Sequence, residues 1–160
     1  MNDFLSEIEF AGLNSRIKRL SDEILYSTRD YYKTMGLDIE PNWHLIFLLL
    51  EKYESMTITD ISQELRMSHP ACVKIINKMK KKGYVNSRTD DNDLRKQLLE
   101  LSEKSLEQLP VFREHWNAGA KTTKDLMENS PHFIEELKEI ELRISEKSYK
   151  ERTLKHLNLK

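Results

Sequence analysis

A mainly α-helical chain with one small β-hairpin is the fold class the sequence predicts, on three observations. Gly and Pro are scarce, four of each in 160 residues, too few for a loop-rich sheet protein or a low-complexity linker. Apolar residues recur at helical spacing through both ends of the chain. Between those ends, two short strand-like segments flank a polar turn. Apolar residues at 38% against 33% charged suit a soluble globular chain, and this length is enough to bury a core as a single domain over 1–160.

Leu5, Ile8, Leu13, Ile17, Leu20, Ile24 and Tyr31 follow a helical period, so one long helix, broken near Gly12, is expected to end before Gly36. Glu40-Pro41-Asn42 opens a second helix with Pro at an early helical position. From Trp43 to about Tyr53 that helix is apolar on most sides, which places it in the middle of a core. Met56 to Thr59 is a short β-type stretch, and Thr59 is the expected N-cap of the short helix that follows. Ser68 caps the next helix, His69 to Lys82, with Pro70 in its first turn and Gly83 closing it. Cys72, Ile75, Ile76 and Met79 form its buried stripe, which turns His69, Pro70, Val73, Lys74 and Asn77 outward. Tyr84–Arg88 and Lys96–Leu101 are the hairpin strands around a turn rich in Asp and Asn. A long helix from Ser102 to Met127, with Pro110 as a bend, and a last helix carrying Phe133, Leu137, Ile140 and Ile144 complete the chain.

The net charge is only −1, but it is unevenly spread. Residues 66–96 carry nine Lys/Arg against three Asp, whereas residues 1–65 carry six against twelve Asp/Glu and residues 97–160 eleven against twelve. A basic island in an otherwise acidic chain is the electrostatic footprint of a nucleic-acid binder, though a solvated lysine-rich helix would give the same count. The element order discriminates further. Short helix, tight turn, second helix and hairpin is the order of a winged helix-turn-helix, whose second helix fits the major groove of duplex DNA. Nearby Lys and Arg hold phosphates and the hairpin tip lies along the adjacent minor groove. The basic island covers that second helix and the hairpin.

Residues 57–65 (TITDISQEL), 67–71 (MSHPA), 80–85 (KKKGYV), 88–95 (RTDDNDLR) and 101–104 (LSEK) resemble the MarR family of transcription regulators in order, spacing and residue type. Two positions depart from the family pattern. Leu94 stands where a basic residue is frequent, and Ser105 where Gly is common.

The resemblance implies a homodimer whose N- and C-terminal helices (1–36 and 102–160) interlock around a DNA-binding lobe (41–101). It further implies a pseudo-palindromic double-stranded operator and a repressor released by a small aromatic or lipophilic effector. By carry-over, Ser68, His69, Pro70, Val73, Lys74, Asn77 and Lys78 face the major groove or its phosphates, as does Arg88 beside them. Arg95 would reach the minor groove, with Asp93 orienting it. The rival reading is a winged-helix module for protein contacts without DNA, which an acidic or apolar outward face on the second helix would favour.

Arg16, Tyr31, Trp43, His44 and Trp116 are candidates to line an effector pocket, since such pockets are apolar with a few polar groups; aromatics at helical spacing also serve as plain core. Cys72 could act as a redox switch, but it sits on the buried stripe and has no second cysteine to pair with. The histidines show no metal-ligand spacing, and no nucleophile elbow, glycine-rich phosphate loop or carboxylate pair is present. The expectation is therefore no metal, no cofactor and no enzyme. Leu45–Leu50, the longest apolar run, is too short to span a bilayer, and MNDFLSEIEF lacks the features of a signal peptide. With a single cysteine, a reducing, cytoplasmic setting is expected.

Overall fold

The computed structural model describes residues 3–157. Its elements are α1 (Phe4–Glu7), a 3₁₀ turn (Glu9–Gly12), α2 (Leu13–Thr34), α3 (Trp43–Tyr53), β1 (Ser55–Met56), α4 (Ile58–Glu64), α5 (His69–Lys81), β2 (Val85–Thr89), β3 (Gln97–Leu101), α6 (Glu103–Leu126), α7 (Phe133–Glu146) and α8 (Tyr149–His156). The fold is mainly helical with one small antiparallel sheet, as expected. The backbone groups into two compact units, Met1–Pro110 and Val111–Lys160, so the division falls inside α6 and follows no linker.

The break between α1 and α2 falls at Gly12 for a steric reason. The chain folds back so closely there that any Cβ on Gly12 would run into the carbonyl oxygen of Leu5. In α3, one face is buried (Trp43, Ile46, Phe47, Leu50), while Leu48 on the other is 41% exposed; the helix is amphipathic and not wrapped all round by core. Pro41 precedes the N-cap Asn42, so it shapes the approach to α3 and is not part of it.

The first unit's core joins that face to Ile61 of α4, Cys72, Ile76 and Met79 of α5, Val85 and Leu99 of the sheet, and Leu109 of α6. Tyr84 lies at its centre, edge-on to Trp43 (5.8 Å between centroids) and to Phe47 (5.6 Å). Each of these apolar side chains contributes about 1.5–3 kcal/mol by leaving water. The predicted hairpin forms with Val85 opposite Leu101 and Thr89 opposite Gln97. It is part of a three-stranded sheet, because β1 pairs Ser55 with Glu100 and Met56 with Leu99.

In the second unit, α7 and α8 are separate helices where one had been expected. Ser148 starts α8 with a capping box: its hydroxyl accepts from the Glu151 amide, and the Glu151 carboxylate accepts from the Ser148 amide. Phe133, Leu137, Ile140 and Ile144 form one row along α7, all between 38% and 52% exposed. Leu13, Ile17, Leu20 and Ile24 repeat the same 4-3-4 spacing along α2, at 45–55% exposure. The outer ends of the two predicted dimerisation segments, residues 1–2 and 158–160, lie outside the described residues. Among the described residues, no helix is long and apolar enough to cross a membrane.

Candidate nucleic-acid interface

The helix-turn-helix is built by two caps and one strained residue. Thr57, not Thr59, caps α4: its hydroxyl accepts from the Asp60 amide (3.1 Å) and donates to the Asp60 carboxylate (2.6 Å), which also accepts from the Thr57 amide (3.0 Å). These bonds, first among them the one from the Thr57 side chain, hold the Asp60 carboxyl below its ordinary value, with the Lys96 charge adding to the effect. Helix α4 ends in a Schellman motif, the Met67 amide reaching the Ser62 carbonyl (2.9 Å) and the Arg66 amide reaching that of Gln63 (3.1 Å). Its left-handed position holds Arg66 (φ 48°), where Gly would be unstrained.

Helix α5 starts as predicted. Ser68 is the N-cap, its hydroxyl accepting from the Ala71 amide (3.4 Å), and Pro70 sits in the first turn. It ends in a second Schellman motif closed by Gly83 (φ 77°). The buried stripe is Cys72, Ile76 and Met79, with Ile75 only half-buried. Ser68, His69, Pro70, Lys74, Asn77 and Lys78 are all exposed, and Val73 is half-buried among them. Six of the seven predicted α5 residues, counting the cap Ser68, thus lie open to solvent. Among the described residues, Lys74 and Lys78 make no ion pair.

At the hairpin tip, the Asp93 carboxylate accepts from the Arg95 amide (3.1 Å) and lies 3.9 Å from the Lys96 ammonium. Asp93 therefore shapes the turn that carries Arg95 and does not touch its guanidinium, as an orienting role would require. Arg95 is exposed and, among the described residues, forms no ion pair. Arg88 differs: its Nε is 3.3 Å from Glu100 across the strand pair and its Nη1 3.8 Å from Asp91, so its charge is balanced within the hairpin. Sequence pattern could place Arg88 in the basic island but could not show its cross-strand neighbour.

The five effector-pocket candidates lie on three helices, α2, α3 and α6. Trp43 is 3% exposed and packed on Tyr84, which makes it core and not a pocket wall. His44 is half-buried with Nδ1 2.7 Å from the Pro41 carbonyl oxygen, bracing the turn before α3. Arg16 and Tyr31 are exposed on α2, and Trp116 belongs to the second unit, 5.8 Å from Phe112. An open groove along α2, lined by Asn14, Lys18, Asp22 and Tyr26 among others, contains none of the five. Burial pushes the Cys72 thiol up, the opposite of an activated thiolate.

The sequence model of the MarR family matches residues 37–96, from the approach to α3 to the end of the hairpin turn. No curated protein sequence matches the chain. Among solved structures, the chain is similar to S. aureus MepR in a complex with DNA, with a TM-score of 0.72 and 15% identity over 82% of this chain and 97% of that one. It is similar to a variant of E. coli MarR complexed with operator DNA (TM-score 0.67, 17% identity, 89% and 99% covered). It is similar also to Streptococcus pneumoniae FabT in complex with DNA (TM-score 0.64, 18% identity, 86% and 99% covered). At these identities the likeness is one of fold.

Proposed function

We propose that the chain is a member of the MarR family, whose sequence model matches residues 37–96, and that it is a DNA-binding transcription regulator, acting as a homodimeric repressor in the cytoplasm and not as an enzyme. The observation that carries this is the outer face of α5. Lys74, Asn77 and Lys78 stand exposed there, directly after the turn of the helix-turn-helix and, among the described residues, with no ion pair on either lysine; Arg95 is exposed at the hairpin tip. A row of cations with an amide between them suits a groove where phosphates flank base edges. A protein-contact module is disfavoured by the same face, which is neither acidic nor apolar.

The homodimer is supported by the matching apolar rows on α2 and α7, which a lone protomer leaves half in water. Two copies would set their recognition helices about 34 Å apart, the separation of successive major grooves on one side of a duplex. Release by a small aromatic or lipophilic compound belongs to the same proposal; of the five candidates only Trp43 is buried in the core. Adding benzoate to a preformed complex tests it, dissociation being the expected result.

The main proposal is tested by selecting duplexes from a random-sequence pool and measuring binding by gel shift. Enrichment of a pseudo-palindrome, bound more weakly as salt rises, is the expected outcome. Failure to retain any duplex would refute it.

A further inference from the structure

The end of α5 is held by the beginning of α6 through an unusual concentration of donors. Three consecutive carbonyls at the α5 terminus are each met from the first turn of α6. The Lys104 ammonium donates to Lys82 O (2.7 Å), the Ser102 hydroxyl to Gly83 O (2.6 Å) and the Ser105 hydroxyl to Tyr84 O (2.5 Å). The Ser102 amide also donates to Tyr84 O (3.1 Å). Ser102 Oγ accepts in turn from the Ser105 amide (3.2 Å), so the same hydroxyl caps α6. Ser105 is fully buried and Ser102 nearly so, where a hydrogen bond is poorly exchanged for one to water.

The Tyr84 ring completes the joint. Lys104 Nζ lies 3.9 Å from its centroid, and its hydroxyl donates to Gln108 Oε1 (3.2 Å), one turn further along α6. On the other side, Lys82 is ion-paired with Asp38 in the approach to α3. A helix end needs only its last carbonyls covered, which the Schellman motif and water can do. The extra bonds go to carbonyls 82–84, beyond the helix proper, and their consequence is directional: they fix the exit of α5 against the axis of α6.

We propose that Ser102, Lys104 and Ser105 are positioning residues which fix the direction of the recognition helix, and thereby the half-site spacing that the dimer accepts. This rests on the DNA-binding reading given above. In a two-fold dimer, a swing of each recognition helix changes the separation of the pair twice over, so a rigid joint admits one spacing and a loose joint several.

The test uses the full-length dimer and a duplex selected by the wild-type protein, with copies carrying one base pair inserted or deleted at the centre. Ser105→Ala leaves Tyr84 O with the Ser102 amide, so no buried acceptor is orphaned. Lys104→Met keeps the apolar stem over Tyr84 and removes only the ammonium. The double variant is expected to stay folded and dimeric and to bind a random duplex as wild type does. Its preference for the original spacing over the shifted ones should drop at least about fivefold, the equilibrium weight of one net hydrogen bond. A double variant of lower thermal stability but unchanged spacing preference would overturn the inference and leave DNA binding intact. A wild-type protein that selects no duplex would overturn both.

Discussion

Replacing Arg95 by Ala removes one unpaired cation from each hairpin tip and should change how binding responds to salt. Lys74, Lys78 and Arg95 are the cations of the proposed interface that, among the described residues, make no ion pair, giving three per protomer and six per dimer. Neutralising six phosphates gives a slope of log K against log salt of about −5.4, at 0.9 per contact. From roughly 50 to 200 mM salt, wild-type affinity should then fall about 1,800-fold, and Arg95→Ala, with four contacts and a slope of about −3.6, about 150-fold. Arg88→Ala is the internal control. Its guanidinium is already balanced by Glu100 and Asp91, so its loss should weaken the hairpin and leave the slope close to that of wild type. Fluorescence anisotropy of a labelled selected duplex at several salt concentrations yields all three slopes. Equal flattening by the two substitutions would refute the reasoning, because it would mean that crossing the strand pair to Glu100 does not occupy Arg88.

Thr57→Ala should cost about 1 kcal/mol in urea unfolding at neutral pH by removing the cap of α4. Asp60 has its folded pKa lowered chiefly by the Thr57 side chain, so its contribution is fully present above the ordinary carboxylate value and lost as pH falls through the lower folded one. The gap between variant and wild type should accordingly shrink in acid; an undiminished gap would tell against the reciprocal cap. Cys72 is fully buried with its thiol pushed up by desolvation, and should label with a thiol reagent only after unfolding. Rapid labelling of the native protein would revive a redox role. Leu20→Asp, placed in the middle of the α2 row, should raise the dimer dissociation constant at least about 30-fold, since two half-exposed leucines lose their cover. Sedimentation showing an unchanged dimer would remove α2 from the interface.

The limits of α5 were legible because its signals are local. Ser68, Pro70 and Gly83 act through their own backbone or the next turn, and the 3.6-residue period alone separates Cys72, Ile76 and Met79 from Lys74 and Asn77. Shifting the α4 cap from Thr59 to Thr57 needed the reciprocal bond with Asp60, and two threonines two residues apart look alike until the helix start is known. The turn of the helix-turn-helix was harder still. It places Arg66 in the left-handed region within the Schellman bonds to Ser62 and Gln63, so no glycine marks it.

Composition, periodicity and the charge island between 66 and 96 were enough to name the helices and hairpin of the winged helix-turn-helix, their order and the face that carries charge, though not the split of the last helix into α7 and α8. These follow from interactions within a few residues, or from a sum that ignores arrangement. Which charges remain available is a different kind of fact. Arg88 and Arg95 are indistinguishable as residue types in one basic stretch, yet the strand register sets Glu100 beside the first, while the tip turn leaves the second in solvent. Trp43 likewise joined the core, and not a pocket, because α3 turns it onto Tyr84, 41 residues away in sequence. Ser105 gained its role in the same way, through a carbonyl at the far side of the hairpin. Partners so distant along the chain meet only when the fold closes, and the tertiary structure therefore decided which of the legible residues are free to meet a duplex.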